Sequence, residues 1–246
     1  MANWNDPQPT RTGFGASSAL NPAAGRVGYD AGLRRYMLSI YNYMASGVLL
    51  SGIVALVFAS SGAAAAVFVT PLRWLIVLAP LGFVMAMSFG LNRMQTSTLR
   101  LLFWAFSVAM GLSLSSIFLV YTGPSIASTF FATAAAFAGL SLVGYTTKKN
   151  LSGMGTFLIM GVWGLLAAMV INMIWPSSGL SLAISLLGVL IFAGLTAYDT
   201  QRLKDTYAQV AGTEFAGKVV VMGALSLYLD FINMFTFLLQ FMGDRR

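Results

Sequence analysis

Residues 217–242, Gly217 to Met242, read GKVVVMGALSLYLDFINMFTFLLQFM, and they decide the fold. A helical span needs ~20 predominantly apolar residues, and this stretch has them. It also carries a carboxylate, Asp230, near its middle. At helical spacing Gly223, Ser226, Asp230, Asn233 and Gln240 fall on one stripe, with Phe237 between the last two. A helix that faces lipid all round has no use for such a stripe; one enclosed by other helices, or lining a wet cavity, does. A carboxylate at a helix end could snorkel to water. About a dozen residues, or ~18 Å of helix, precede Asp230 in the span, which argues for burial. An intramembrane carboxylate costs about 2.5–3.5 kcal/mol on insertion scales, so Asp230 is a candidate functional residue.

The composition agrees with a membrane chain. Of 246 residues, 58% are hydrophobic and 9% charged, against roughly 25% charged in soluble domains. Mean hydropathy is +0.80. The apolar runs are long and do not alternate, which predicts an all-α integral membrane protein rather than a β-barrel. The chain has no Cys and no His. That excludes thiol catalysis, a Ser–His–Asp triad, His/Cys zinc sites and disulfides. The 14 Met residues show no clustered spacing and read as packing. The net charge of +7 is read as a topology signal, not as a nucleic-acid footprint.

Charges punctuate the chain. Residues 1–36 are polar and rich in Pro, Gly, Asn and Ser, with no apolar core of a signal peptide, and predict a disordered cytoplasmic tail. The remainder, 37–246, predicts a seven-helix transmembrane domain. The uncharged intervals Arg35–Arg73 and Arg73–Arg93 have room for one span each; Arg100–Lys148 and Lys149–Asp199 have room for two. Turn residues divide the longer intervals at Thr122-Gly123-Pro124-Ser125 and Pro176-Ser177-Ser178-Gly179. The predicted spans are about Met37–Phe58, Leu72–Leu91, Leu99–Tyr121, Ile126–Tyr145, Met154–Trp175, Leu180–Tyr198 and Lys218–Met242. With the N-terminus inside, inner segments hold eleven of the 14 Lys/Arg residues and outer ones only Arg73, Arg245 and Arg246. The bias predicts a cytoplasmic N-terminus and an outer C-terminus.

The sixth predicted span ends Gly194-Leu-Thr-Ala-Tyr-Asp199-Thr-Gln-Arg-Leu-Lys204. Its stripe Ser181, Ser185, Gly188, Phe192, Thr196, Asp199 is small and polar. Asp199 is either a second site carboxylate or an interfacial residue paired with Arg202 or Arg93. Straight spans put Asp199 near the inner end and Asp230 ~10 Å deeper; tilt, or a late start of the seventh span, would bring them together. Two facing carboxylates disfavour double ionisation and share a proton, which makes a natural pH sensor in a chain without histidine.

Gly194-Leu-Thr-Ala-Tyr-Asp199-Thr-Gln201 and Ala224-Leu-Ser-Leu-Tyr-Leu-Asp230-Phe-Ile-Asn233-Met-Phe, with the seven-span pattern, resemble the Bax inhibitor-one family, also called the transmembrane Bax-inhibitor-motif proteins, in its bacterial form. The resemblance covers roughly residues 30–246. It implies six helices wrapped around a central C-terminal seventh. It also implies a di-aspartyl, pH-sensitive latch across a calcium-permeable path, in an inner membrane, with links to cytoprotection or membrane-protein quality control. Asp199 and Asp230 match the two latch aspartates, and Arg93 is the nearest candidate for the arginine that bacterial relatives carry on the second helix. The implied cargo is calcium, held transiently by Asp199 and Asp230 with Thr196, Ser226 and Asn233 in support, and no resident cofactor.

Three functions compete at this stage. A passive calcium leak needs a weak site, and two carboxylates with a few neutral oxygens provide one. A non-transporting partner of a membrane protease or other membrane assembly needs no path. An intramembrane aspartyl protease would also use two aspartates, but Leu-Tyr-Leu-Asp230 replaces the Gly-x-Gly-Asp of presenilin-like enzymes, and no Pro-Ala-Leu segment follows. The chain therefore reads as a non-enzyme.

Overall fold

The computed structural model describes residues 22–246, with side chains from Tyr29 onward. Eight helices follow one another: α1 (Pro22–Ser60), α2 (Ala63–Phe68), α3 (Leu72–Gly90), α4 (Thr96–Val120), α5 (Gly123–Thr146), α6 (Ser152–Ile174), α7 (Ser178–Val210) and α8 (Phe215–Met242). Seven of them are long and apolar enough to cross a membrane, and each overlaps a predicted span, α1 starting earlier and α7 ending later than expected. The exception is α2, six residues in the interval read as a single span. At 1.5 Å per residue it is far too short to cross.

The breaks follow local chemistry. Pro71 precedes α3, and Pro124 sits in the first turn of α5, where a missing N–H costs nothing. Ser177 caps α7 by accepting from Leu180 N. Asn172 staples the α6–α7 turn: its Oδ1 accepts from Ser177 N at 3.1 Å and its Nδ2 donates to Ser181 Oγ at 2.9 Å. Gly212, at φ +76°, turns the chain between α7 and α8 where a side chain would be strained.

Large apolar residues such as Leu75, Phe89, Leu101, Phe157 and Trp163 face outward, forming the exposed hydrophobic belt of a membrane protein. Inside, α8 is the most enclosed span, with 61% of its apolar window buried against 11–39% for the others. It packs mainly on α1, α4, α5 and α7, while α3 leans on α4 and α6 on α7. The expected wrap of six helices is thus a shell of four with two outriders.

The opposed turns define two ends. The α3–α4, α5–α6 and α7–α8 turns share one end with Arg93, Lys148, Lys149 and Lys218, hereafter the basic end. Here the tail expected over 1–36 is corrected in part: residues 1–21 lie outside the described residues, but 22–36 are helical. Polarity and glycines suggested a tail; tertiary packing overrides them. Tyr207, on the last turns of α7, has its ring 5.2 Å from both Tyr29 and Tyr36, and Leu33 and Tyr36 are buried beneath. At the other end the C-terminal residues are stitched to the α4–α5 turn. Arg246 N donates to Val120 O, Thr122 N to Asp244 O and Asp244 N to Ser125 Oγ, at 2.9–3.0 Å.

Candidate functional site: a carboxylate seam between α7 and α8

The polar stripes of α7 and α8 face each other in a regular antiparallel register. Ser185 meets Gln240, Phe237 packs over Gly188, Ser226 donates to Asp199 Oδ2, and Leu203 packs on Gly223. A Cβ on Gly188 would stand 2.5 Å from the Phe237 ring, so glycine is what lets these helices close. The register places both carboxylates. Asp199 sits opposite Ser226, and Asp230 is one turn further along α8, a step of ~6 Å.

Both carboxylates are buried, Asp199 at 8% and Asp230 at 5% exposure. Their depth differs less than straight spans suggested. α7 continues about three turns past Asp199 to Val210, and α8 begins about three turns before Ser226. The hairpin between them carries Arg202, Lys204, Asp205 and Lys218, the residue types of a membrane boundary. Counting depth from the start of the last span overstated the gap.

Asp199 is well provided for. Ser226 Oγ donates to its Oδ2, and Arg202 Nη1 lies 3.7 Å from its Oδ1 with the guanidinium largely exposed. Asp230 is not: its Oδ2 is buried without a hydrogen-bond partner. Among the described residues Arg202 is paired with Asp199, and no ion pair reaches Asp230. Arg93 is exposed in the α3–α4 turn and makes no ion pair among the described residues. The arginine beside the carboxylates is Arg202, which the sequence pointed to only as an interfacial partner.

The supporting residues occupy the same seam. Thr196 is fully buried and its Oγ1 donates to Phe192 O at 2.8 Å; Asn233 Nδ2 donates to Leu229 O at 2.8 Å. Away from the basic end the seam is interrupted by Phe192 and Phe237, stacked at 5.9 Å with 21° between ring planes. Beyond them a cavity of about 470 Å³, lined by Asn172, Ser181, Ser185, Gln240 and Arg245, opens at the opposite end.

A second buried polar cluster was missed. Ser51 Oγ on α1 donates to Ser107 O at 2.6 Å and pairs with Tyr228 Oη at 2.6 Å, all three residues fully buried. The available signal was Tyr228 itself, since a tyrosine at mid-span needs a partner for its hydroxyl. No group of three or more His, Cys, Asp or Glu side chains able to hold a metal occurs among the described residues.

Comparison with known proteins supports the assignment of kind. The sequence pattern described as inhibitor of apoptosis-promoting Bax1 matches residues 33–246. An uncharacterized protein of Caulobacter vibrioides is 47% identical over 229 residues, covering 88% of this chain and 91% of that one. An uncharacterized protein of Rickettsia prowazekii is 44% identical over 219 residues, 89% and 93% of the two chains. Inner membrane protein YbhL of Escherichia coli is 43% identical over 220 residues, 88% and 94%. The chain belongs to the Bax inhibitor-one family of multi-pass membrane proteins.

Proposed function

We propose that the chain is a passive, pH-sensitive calcium leak of a bacterial inner membrane, governed by Asp199 and Asp230, with its N-terminus in the cytoplasm. The observation that carries this reading is Asp230 Oδ2, buried without a partner beside a second carboxylate. A lone buried charge costs several kcal/mol, and either a proton or a cation relieves it. Proton and calcium therefore compete for the same oxygens, which makes passage depend on pH. Calcium takes 6–8 oxygen ligands, and two carboxylates with the Ser226 and Thr196 hydroxyls and the Asn233 amide fall short of a firm cage. Weak binding suits passage, because an ion that binds firmly does not leave. The inner-membrane location rests on the name of the Escherichia coli relative, inner membrane protein YbhL, and the orientation on the excess of Lys and Arg at the basic end.

Purified protein in liposomes loaded with a calcium dye tests the reading. Calcium entry that needs no partner and no peptide substrate, and that changes with pH, supports it. Tight vesicles at every pH from 5 to 8 would remove the leak and leave the family member as a partner of a membrane protease or other assembly.

A further inference from the structure

α1 and α5 both pack on α8, and between them a cleft of about 790 Å³ opens sideways, toward the surrounding membrane. Its floor includes Phe231 of α8, 3% exposed and the residue after Asp230. Its α5 wall mixes large residues, Phe130, Phe137 and Leu142, with small ones, Ala134, Ala138 and Ser141, and the small ones leave room. The rest of the lining is almost wholly aliphatic and aromatic, save at one end. There Arg34 lines the cleft, with Tyr41 and Tyr145. Arg34 is exposed and in no ion pair among the described residues. Lys204 stands behind Tyr145, its Nζ donating to Tyr145 O at 2.8 Å.

We propose that this cleft is a site for one anionic phospholipid of the leaflet at the basic end, with its head group at Arg34 and an acyl chain lying along α1 and α5 against Phe231. The inference does not depend on the leak. Two features fit that ligand. The cleft's single charge sits at one end of a long apolar groove, and an anionic phospholipid carries its charge at one end of its chains. The length also agrees: Arg34 to Leu49 spans ~22 Å of helix, enough to run from head-group level through one leaflet, whose hydrocarbon is ~15 Å deep. The tyrosines at the mouth are the amphipathic side chains expected at that boundary. A lipid held there touches Phe231, next to Asp230 on α8, so the bilayer gains a direct contact with the helix that carries the carboxylates.

Native mass spectrometry of the full chain, titrated with phosphatidylglycerol and with phosphatidylcholine of identical chains, tests the site. The parent should bind phosphatidylglycerol more tightly. Arg34→Gln should weaken that binding about fivefold, the effect of one basic residue at a bilayer surface, and abolish the preference. Arg35→Gln, one residue away and outside the cleft, should keep the preference. Ala138→Trp should fill the groove and lose both lipids; if it fails to fold, the two arginine variants decide. The proposal is overturned if Arg34→Gln keeps the preference, if Arg35→Gln loses as much, or if folded Ala138→Trp binds both lipids like the parent. Dimers that disperse only in Ala138→Trp would also overturn it and assign the cleft to a second copy of the chain.

Discussion

Ser226 Oγ, on α8, donates to Asp199 Oδ2, on α7, and this hydrogen bond ties the two helices at the level of the carboxylates. Ser226 stands one turn before Asp230 on the same face, so one serine sets the spacing of the pair. A hydrogen bond to an ionised carboxylate contributes roughly 1.5–3 kcal/mol, more than a neutral one.

Ser226→Ala is therefore expected to move the pH midpoint of calcium flux by about one unit, equivalent to ~1.4 kcal/mol. Ser226→Thr keeps the hydroxyl and should stay near the parent profile. Both are read in dye-loaded liposomes, and an Ala variant with the parent midpoint would remove Ser226 from the pair.

The stacked rings of Phe192 and Phe237 interrupt the seam between Asp230 and the cavity at the opposite end. Phe237→Leu should give faster flux at every pH while the midpoint stays fixed, because the carboxylates are untouched. Its stability cost should be modest, about the 0.5–1.5 kcal/mol of an aromatic pair. Unchanged flux would show that ions do not pass between these rings.

The Ser51–Tyr228 contact bears on stability alone. Tyr228→Phe removes one hydroxyl and leaves Ser51 bonded to Ser107 O, so its cost should approach the ~0.6 kcal/mol average of interhelical hydrogen bonds in membranes. Ser51→Ala strands the buried Tyr228 Oη and also loses the bond to Ser107 O, and should cost more, about 1–3 kcal/mol. Reversible unfolding in mixed micelles gives the order, and the reverse order would contradict the assigned network.

Much of this was legible in the sequence, for identifiable reasons. The seven spans follow from where charges fall, since charge is expensive in hydrocarbon. The polar stripes of α7 and α8 follow from a fixed helical period, and the structure turns them toward each other. What was not legible depends on tertiary packing. No local signal says that Tyr207 will hold residues 22–36 as helix, or that the α7–α8 hairpin extends past both carboxylates and shrinks the depth gap between Asp199 and Asp230. Arg93 was favoured because it follows the second predicted span; Arg202 reaches Asp199 through the i,i+3 spacing of a helix that runs on past the expected end.

The central claim is that Asp199 and Asp230 act as one proton-sharing pair controlling calcium passage. A double-mutant cycle on pH-dependent flux tests it most directly, with Asp199→Asn, Asp230→Asn and both together in dye-loaded liposomes. Coupled groups titrate as a unit, so each single variant should change the pH profile, and the second substitution should add little to the first. Single variants that keep the parent profile, or single effects that add independently in the double variant, would contradict the account.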